Sequence, residues 1–287
     1  MKQLKALVPT RLAAPLASLM SEAGASAVDT ATEADAHGRL LVTAYCEAAR
    51  ARGIAKRCQN ELSELARRAK LGDTPKVEIS DVSADWETSW TQVLPPARLA
   101  PGLVLVPEGV AYQAAPGERV IRLEPGLYFG FGEHPTTQLI SEWIGRSCLG
   151  ASVLDVGCGT GVLSFVAAFA GAASVFGIDI DGPSVASAQR NASNNGWAEV
   201  CTFASDPLQD VERRFGVVLA NIDARTLTSL AEHLCRVLAP GGRLALTGVL
   251  EEQVEGVCSA LSAAGVPVEV SAVDSGWALL TNTPRLR

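Results

Sequence analysis

The chain is short of basic residues. Lys and Arg number 24 against 31 Asp and Glu, a formal charge of −7, with an isoelectric point near 5.1. A protein that grips nucleic acid needs a basic face to neutralise phosphates, so no direct nucleic-acid partner is expected. No run of about 18 uninterrupted apolar residues occurs, which is the length a spanning helix needs, so no membrane partner is expected. Met1 to Thr10 lack the apolar stretch of a secretory signal. Cysteine occurs seven times, an odd count, and never as Cys-x-x-Cys. That argues against a disulfide framework and against a metal site, and it fits the reducing cytoplasm.

What is present points to an enzyme of two domains. The length of 287 residues and an apolar fraction of 48% can bury two cores. Asp155 to Gly161 reads Asp-Val-Gly-Cys-Gly-Thr-Gly. The apolar run Ala151 to Val156 before it predicts a buried strand, and Val162 to Phe169 after it predicts a helix. Strand, glycine turn and helix form the nucleotide-binding corner of a doubly wound sheet. A second strand, Ser174 to Ile178, ends at Asp179, 22 residues after Gly157. A carboxylate there can accept from both ribose hydroxyls of a nucleoside. The dinucleotide fingerprint Gly-x-Gly-x-x-Gly places its third glycine one residue later than this loop does. The acid Asp155 before the first glycine resembles instead the cofactor loop of S-adenosylmethionine-dependent methyltransferases. Cys158, inside the loop, reads either as a reactive thiol or as a small residue whose backbone matters.

Upstream, the order is β-α-β-β-α-β. The strands are Gln3–Val8, Ala25–Thr30, Arg39–Tyr45 and Lys76–Val82; the helices are Arg11–Ala23 and a long charged one, Glu47–Leu71. This is the ferredoxin-like arrangement, an α+β domain over residues 1–82. A linker is expected over 83–96, where Trp86 and Trp90 precede Pro95-Pro96, and the α/β domain over 97–287. His37 in the polar turn reads as a solvated residue, as does His233 downstream. A shaped loop with Gly126, Gly130 and Gly132 ends at Thr136-Thr137, where one hydroxyl either caps the following helix or faces a ligand. Past the glycine loop the βα alternation continues and closes with a hairpin, Val266–Ala272 and Trp277–Thr281. That is the methyltransferase version of the doubly wound fold: seven strands with an antiparallel terminal hairpin.

Ligands of such sheets bind outside the carboxyl ends of the strands. Gly157, Asp179, Asp206 and Asn221 all fall at such ends. Asp206 orients an adenine edge or caps the turn at Pro207. Asn221 offers an amide oxygen to an amine. With Asp155, Gly159, Thr136 and Thr137 these residues make the expected cofactor set, and Asn221 is the expected catalytic residue.

Gly126 to Thr137, Asp155 to Gly161, Gly177-Ile178-Asp179-Ile180-Asp181 and Ala220-Asn221-Ile222 stand in the order and approximate spacing of the ribosomal protein L11 methyltransferase family, and Asp85-Trp86-Glu87-Thr88-Ser89-Trp90 resembles that family's linker. The similarity is close from about Leu123 to Leu250 and weaker over the first 75 residues. The resemblance implies S-adenosylmethionine as cofactor, with contacts at Thr137, Gly157, Asp179 and Asn221. It implies methylation of lysine side chains and the N-terminal amine of a large-subunit ribosomal protein held by the N-terminal domain, with Asn221 facing the amine. Phe131 and Glu133 replace threonines usual in the family, and Asp223 stands where an apolar residue is usual. Other readings stay open: a relative that methylates another protein or a small amine, a nucleoside-binding module without turnover, and, against the glycine spacing, a dehydrogenase.

Overall fold

The computed structural model describes residues 2–25, 27–31, 34–46, 48–81, 95–123, 132 and 134–282. The chain forms two compact units, one within Met1–Ser89 and one built from Trp90–Gly126 and Gly130–Arg287. Apart from Pro95 and Pro96, the expected linker and its tryptophans lie outside the described residues, as do Phe131 and Glu133.

In the first unit, strand β1 (Lys2–Pro9) alternates, burying Leu4, Ala6 and Val8 and exposing Leu7. Side chains of a strand point to opposite faces in turn, so one face packs on helices and the other carries the partly exposed Leu7. Helix α1 (Thr10–Glu22) buries Leu12, Leu16, Leu19 and Met20 against that packed face. The remaining elements are β2 (Ala27–Thr30), β3 (Arg39–Cys46), α2 (Ala48–Arg68) and β4 (Glu78–Asp81), and the sheet order is β2-β3-β1-β4, antiparallel throughout. Helix α2 turns Ala51, Ile54, Ala55, Cys58, Leu62 and Ala66 inward, one apolar stripe at helical spacing. Its Arg50, Arg52, Lys56, Arg57, Arg67 and Arg68, and Lys70 just past its end, are all exposed. Fully buried Leu4, Leu16, Met20 and Leu62 each contribute about 1.5–3 kcal/mol of burial. His37 is exposed in the β2–β3 turn. That turn is held by Asp35, which accepts from the backbone N–H of His37 and Arg39 at 2.9 Å each. The Arg39 side chain and backbone hold the Asp35 carboxyl down at about 2.

The second unit opens with a small sheet, β5 (Ala97–Ala100), β6 (Leu103–Pro107) and β7 (Arg119–Leu123), of which β5 carries only four residues and no sequence signal predicted it. Then come α3 (Pro135–Ser147), β8 (Ser152–Val156), α4 (Val162–Phe169), β9 (Ser174–Ile178), α5 (Gly182–Asn194), β10 (Cys201–Ala204), β11 (Phe215–Asn221), α6 (Ala224–Val237), β12 (Leu238–Leu250), α7 (Val254–Ala263), β13 (Glu269–Asp274) and β14 (Trp277–Thr281). The seven strands lie in the order β10-β9-β8-β11-β12-β14-β13. β8 pairs in parallel with β9 on one side and β11 on the other. The chain therefore winds outward in both directions from β8, and its carboxyl end is the switch point where ligands bind. Alternate residues feed two cores: Val153, Val217 and Leu219 pack under α3, α4 and α5, while Leu154, Val218 and Ala220 pack under α6 and α7. Pro240-Gly241-Gly242, residue types that favour a turn, is drawn into β12, because Leu238 already pairs with Phe215 and the register slips before Arg243 meets Val217. The terminal hairpin β13–β14 is antiparallel.

Among the described residues no helix is long and apolar enough to cross a membrane, and no cluster of His, Cys, Asp and Glu is fit for a metal ion. All seven cysteines are free.

Candidate cofactor site

The loop after β8 is tied down by its own backbone. Gly157 and Cys158 both donate to Ile178 O, at 2.8 and 3.0 Å, and Gly161 donates to Cys158 O at 2.8 Å. Gly157, Gly159 and Gly161 all have positive φ, +72°, +52° and +89°, a region that a Cβ disfavours. At Gly157 an added Cβ would also meet Ile222 Cγ2 at 2.5 Å. Ile222 is itself wedged from the other side by Gly248, where an added Cβ would strike the Ile222 backbone. Two glycines from two strand ends thus fix the residue that follows Asn221. Sequence reasoning gave Gly248 and Ile222 no role, since the contact joins positions distant in sequence.

Asp179 closes the loop. Its Oδ2 accepts from Gly159 N–H at 2.9 Å and its Oδ1 from Asp181 N–H at 3.0 Å. A carboxylate has about four acceptor positions, so these two bonds leave two for incoming hydroxyls. The next residue, Ile180, is 88% exposed, an apolar surface beside the carboxylate. Asp181 caps α5, accepting from Ser184 N and Oγ at 2.8 and 2.7 Å.

Asp155 lies at the inner end of β8 with no exposure, its Oδ2 accepting from Ser164 Oγ at 2.7 Å and its Oδ1 buried without a partner. Burial pushes its pKa up to about 6, opposed by the Ser164 hydroxyl and reinforced by the charge of Asp179. Cys158 is 93% buried by the same walls; desolvation first, then the charges of Asp155 and Asp179, push its thiol far up. Burial and a raised pKa both favour the reading of Cys158 as a small packed residue, since only a thiolate reacts.

At the start of α3 the cap is His134, in place of the threonine considered from sequence. Pro135 takes the first helical position, so the residue before it must cap. Its Nδ1 accepts from Thr136 N at 3.3 Å and lies 2.7 Å from Thr136 Oγ1. The ring is packed edge-on against Trp277, 5.1 Å between centroids, and burial pulls its pKa down to about 4. Thr137 is 1% exposed, and its Oγ1 is buried with no partner. A buried hydroxyl without a partner costs free energy, so Thr137 Oγ1, like Asp155 Oδ1, has bonding capacity that no described residue fills.

Asn221, half-buried, ends β11 opposite Thr247 of β12. Asp223, one of the departures in sequence, caps α6, accepting from Thr226 N and Oγ1 at 3.0 and 2.7 Å. Asp206 is exposed, and the 3-10 turn Leu208–Asp210 has Pro207 at its cap and no side-chain cap bond. His233 is half-buried rather than fully solvated. Gly157, Gly159, Asp155, Asp179 and Asn221 thus gather at neighbouring strand ends, while Thr136 and Thr137 stand at the head of α3, which packs on β11 and β12.

The chain resembles known proteins over almost its whole length. The family model "Ribosomal protein L11 methyltransferase (PrmA)" matches residues 2–284. A ribosomal protein L11 methyltransferase of Geobacter metallireducens is 40% identical over 197 residues, 68% of this chain and 65% of that protein. One of Pseudomonas aeruginosa (strain LESB58) is 38% identical over 232 residues, 79% of this chain and 78% of that protein. Among solved structures, the ribosomal protein L11 methylase of Lactobacillus delbrueckii subsp. bulgaricus is 31% identical with a TM-score of 0.59, covering 65% of this chain and 96% of that one. With the glycine loop, its acid and the asparagine strand end all inside the matched span, the chain belongs to the ribosomal protein L11 methyltransferase family.

Proposed function

We propose that the protein methylates amines of a large-subunit ribosomal protein of the L11 type, using S-adenosylmethionine held at the carboxyl end of β8. The observation that carries this reading is Asp179, bonded to the Gly159 N–H with acceptor positions to spare at the switch point of the sheet. The residues suit the cofactor's chemistry. Asp179 accepts the ribose hydroxyls, Ile180 covers the adenine, and Asp206 stands at the adjoining strand end. Asp155 Oδ1 and the Thr137 hydroxyl answer the charged amino-acid end, and the open glycine loop allows close approach. Thr136, tied to His134, orients Thr137.

Bound S-adenosylmethionine supplies an electrophilic methyl on a sulfonium. The protein's share is to place a neutral amine in line and to keep water away. Asn221 has no charge to offer and no useful pKa, so it acts as the catalytic residue by accepting from the amine N–H and aiming the lone pair. Orientation of this kind can supply several kcal/mol of the barrier. The N-terminal unit docks the protein substrate; family membership and the separate compact core of that unit support this. The reaction belongs to the cytoplasm, where ribosomal proteins are made.

The test is transfer of labelled methyl to the purified ribosomal protein. Wild type should label it, and Asn221→Ala should lose about 10²-fold or more in turnover while cofactor affinity falls less. Equal losses would reduce Asn221 to a cofactor contact. Label on a different protein or on a small amine alone would overturn the substrate assignment.

A further inference from the structure

Among the described residues Asp155 is the only carboxylate with no exposure, and only half of it is accounted for within the protein. Ser164, also without exposure, supplies that half through its hydroxyl, 2.7 Å from Oδ2. The helix that carries it reads Val-Leu-Ser-Phe-Val-Ala-Ala-Phe, so Ser164 is the one polar side chain in an apolar segment. Its neighbours pack, whereas it spends its proton on the carboxylate. A serine hydroxyl has one proton to donate, and donating it to Oδ2 fixes the plane of the carboxylate and the direction of Oδ1.

We propose that Ser164 is a positioning residue for the cofactor: its hydroxyl fixes the Asp155 carboxylate through Oδ2 and leaves Oδ1 free for the ammonium end of S-adenosylmethionine. This rests on the reading that the cofactor lies on the Gly157–Gly161 loop. The balance at Asp155 is close. Burial raises its pKa to about 6, the Ser164 hydroxyl lowers it, Asp179 raises it again, and the Ser164 backbone N–H, which every variant keeps, lowers it less. The other groups that face it are thiols: Cys158 in the loop, Cys201 on β10 and Cys148 after α3, each pushed up by burial and by the Asp155 charge. They stay protonated at neutral pH, and Asp179 is common to every variant, so Ser164 is the group whose loss moves Asp155.

The test is the dissociation constant of S-adenosylmethionine from the full chain between pH 5.5 and 8, by calorimetry, for wild type, Ser164→Ala, Ser164→Thr and Asp155→Asn. Wild-type affinity should decline below about pH 6, where the free protein takes up its proton. Loss of a hydrogen bond to the charged form should raise that midpoint by about one unit. The ratio of Ser164→Ala to wild type should then be about fivefold at pH 6, about twofold at pH 7 and near one at pH 8. The cofactor's own amine titrates alike in both and cancels from the ratio. Ser164→Thr, which keeps the hydroxyl, should keep the wild-type midpoint, and Asp155→Asn should bind weakly with no inflection. A ratio that is the same at every pH makes Ser164 a packing residue and overturns the proposal; Ser164→Ala is a small enough change to fold. Tight binding by Asp155→Asn removes the role of Asp155. Absence of binding by wild type refutes the loop reading itself.

Discussion

Replacing Asp179 by alanine separates the ligand's share of this carboxylate from the fold's share. In the protein it holds two backbone donors, Gly159 N–H at 2.9 Å and Asp181 N–H at 3.0 Å. The loop keeps three other bonds that do not involve this side chain, Gly157 and Cys158 to Ile178 O and Gly161 to Cys158 O. Its shape should therefore survive. The donors released are not deeply buried, since Asp181 is exposed and Gly159 half-buried, so water can take them over and the stability cost should be about 1–2 kcal/mol. On the ligand side two charge-assisted bonds disappear, and the loss should be about 2–3 kcal/mol, roughly 30- to 140-fold in Kd. Asp179→Asn should not rescue it. An amide has one acceptor oxygen, and its NH₂ would face one of the two backbone N–H groups. The assays are calorimetric titration with S-adenosylmethionine and chemical denaturation of the same samples. An unchanged Kd, or a stability loss with no binding loss, would refute the ribose assignment.

Gly157→Ala should weaken both stability and cofactor binding, because φ of +72° costs about 1–2 kcal/mol with a Cβ and the methyl would press on Ile222. Adding Ile222→Ala should recover part of the loss in denaturation experiments, and no recovery would mean the strain lies in the backbone alone. Asp223→Ala should cost about 1 kcal/mol of stability through the lost α6 cap while cofactor affinity holds; a large fall in methylation without that destabilisation would return Asp223 to the substrate side. His134 has a folded pKa of about 4 against an ordinary 6.5. The folded state therefore binds fewer protons than the unfolded one between those values, and stability falls as pH drops from 6.5 to 4, by at most about 3 kcal/mol. Asp155 works the other way over pH 3.8 to 6, since its pKa is raised on folding, so the wild-type curve mixes both. His134→Asn keeps an acceptor at the cap and should flatten the His134 part, visible as a smaller stability difference between pH 7.5 and pH 5 than in wild type; identical differences would contradict the assignment.

The strand-turn-helix at Asp155–Gly161 was legible because short apolar runs bounded by glycine leave few alternatives. Strands Ser174–Ile178 and Trp277–Thr281 stand where apolar runs and turn residues place them. Less legible were elements defined by partners. Ala97–Ala100 is a strand because Leu103–Leu105 pairs with it, and four residues are too few for a period to be read from sequence. Leu238–Leu250 absorbs Pro-Gly-Gly because its first residue finds Phe215 across the ladder. In the second case tertiary pairing overrode local turn chemistry.

The site shows the same division at finer scale. Glycines and acids at strand ends advertise themselves, because the position after a parallel strand is where ligands bind and few residue types tolerate it. What the sequence conceals is how each side chain's bonding capacity is divided between fold and ligand. Asp179 and Asp155 are both acids at neighbouring strand ends, yet the first gives both oxygens to backbone donors of a half-exposed loop. The second is buried, with one oxygen bonded and the other without a partner. Their difference depends on Ser164, nine residues from Asp155 and one helix turn into an apolar segment, where a serine looks like a defect in the packing pattern. A single hydroxyl in an otherwise apolar buried helix has to be explained by what it touches. Here it touches the carboxylate whose charge state a cationic ligand would read.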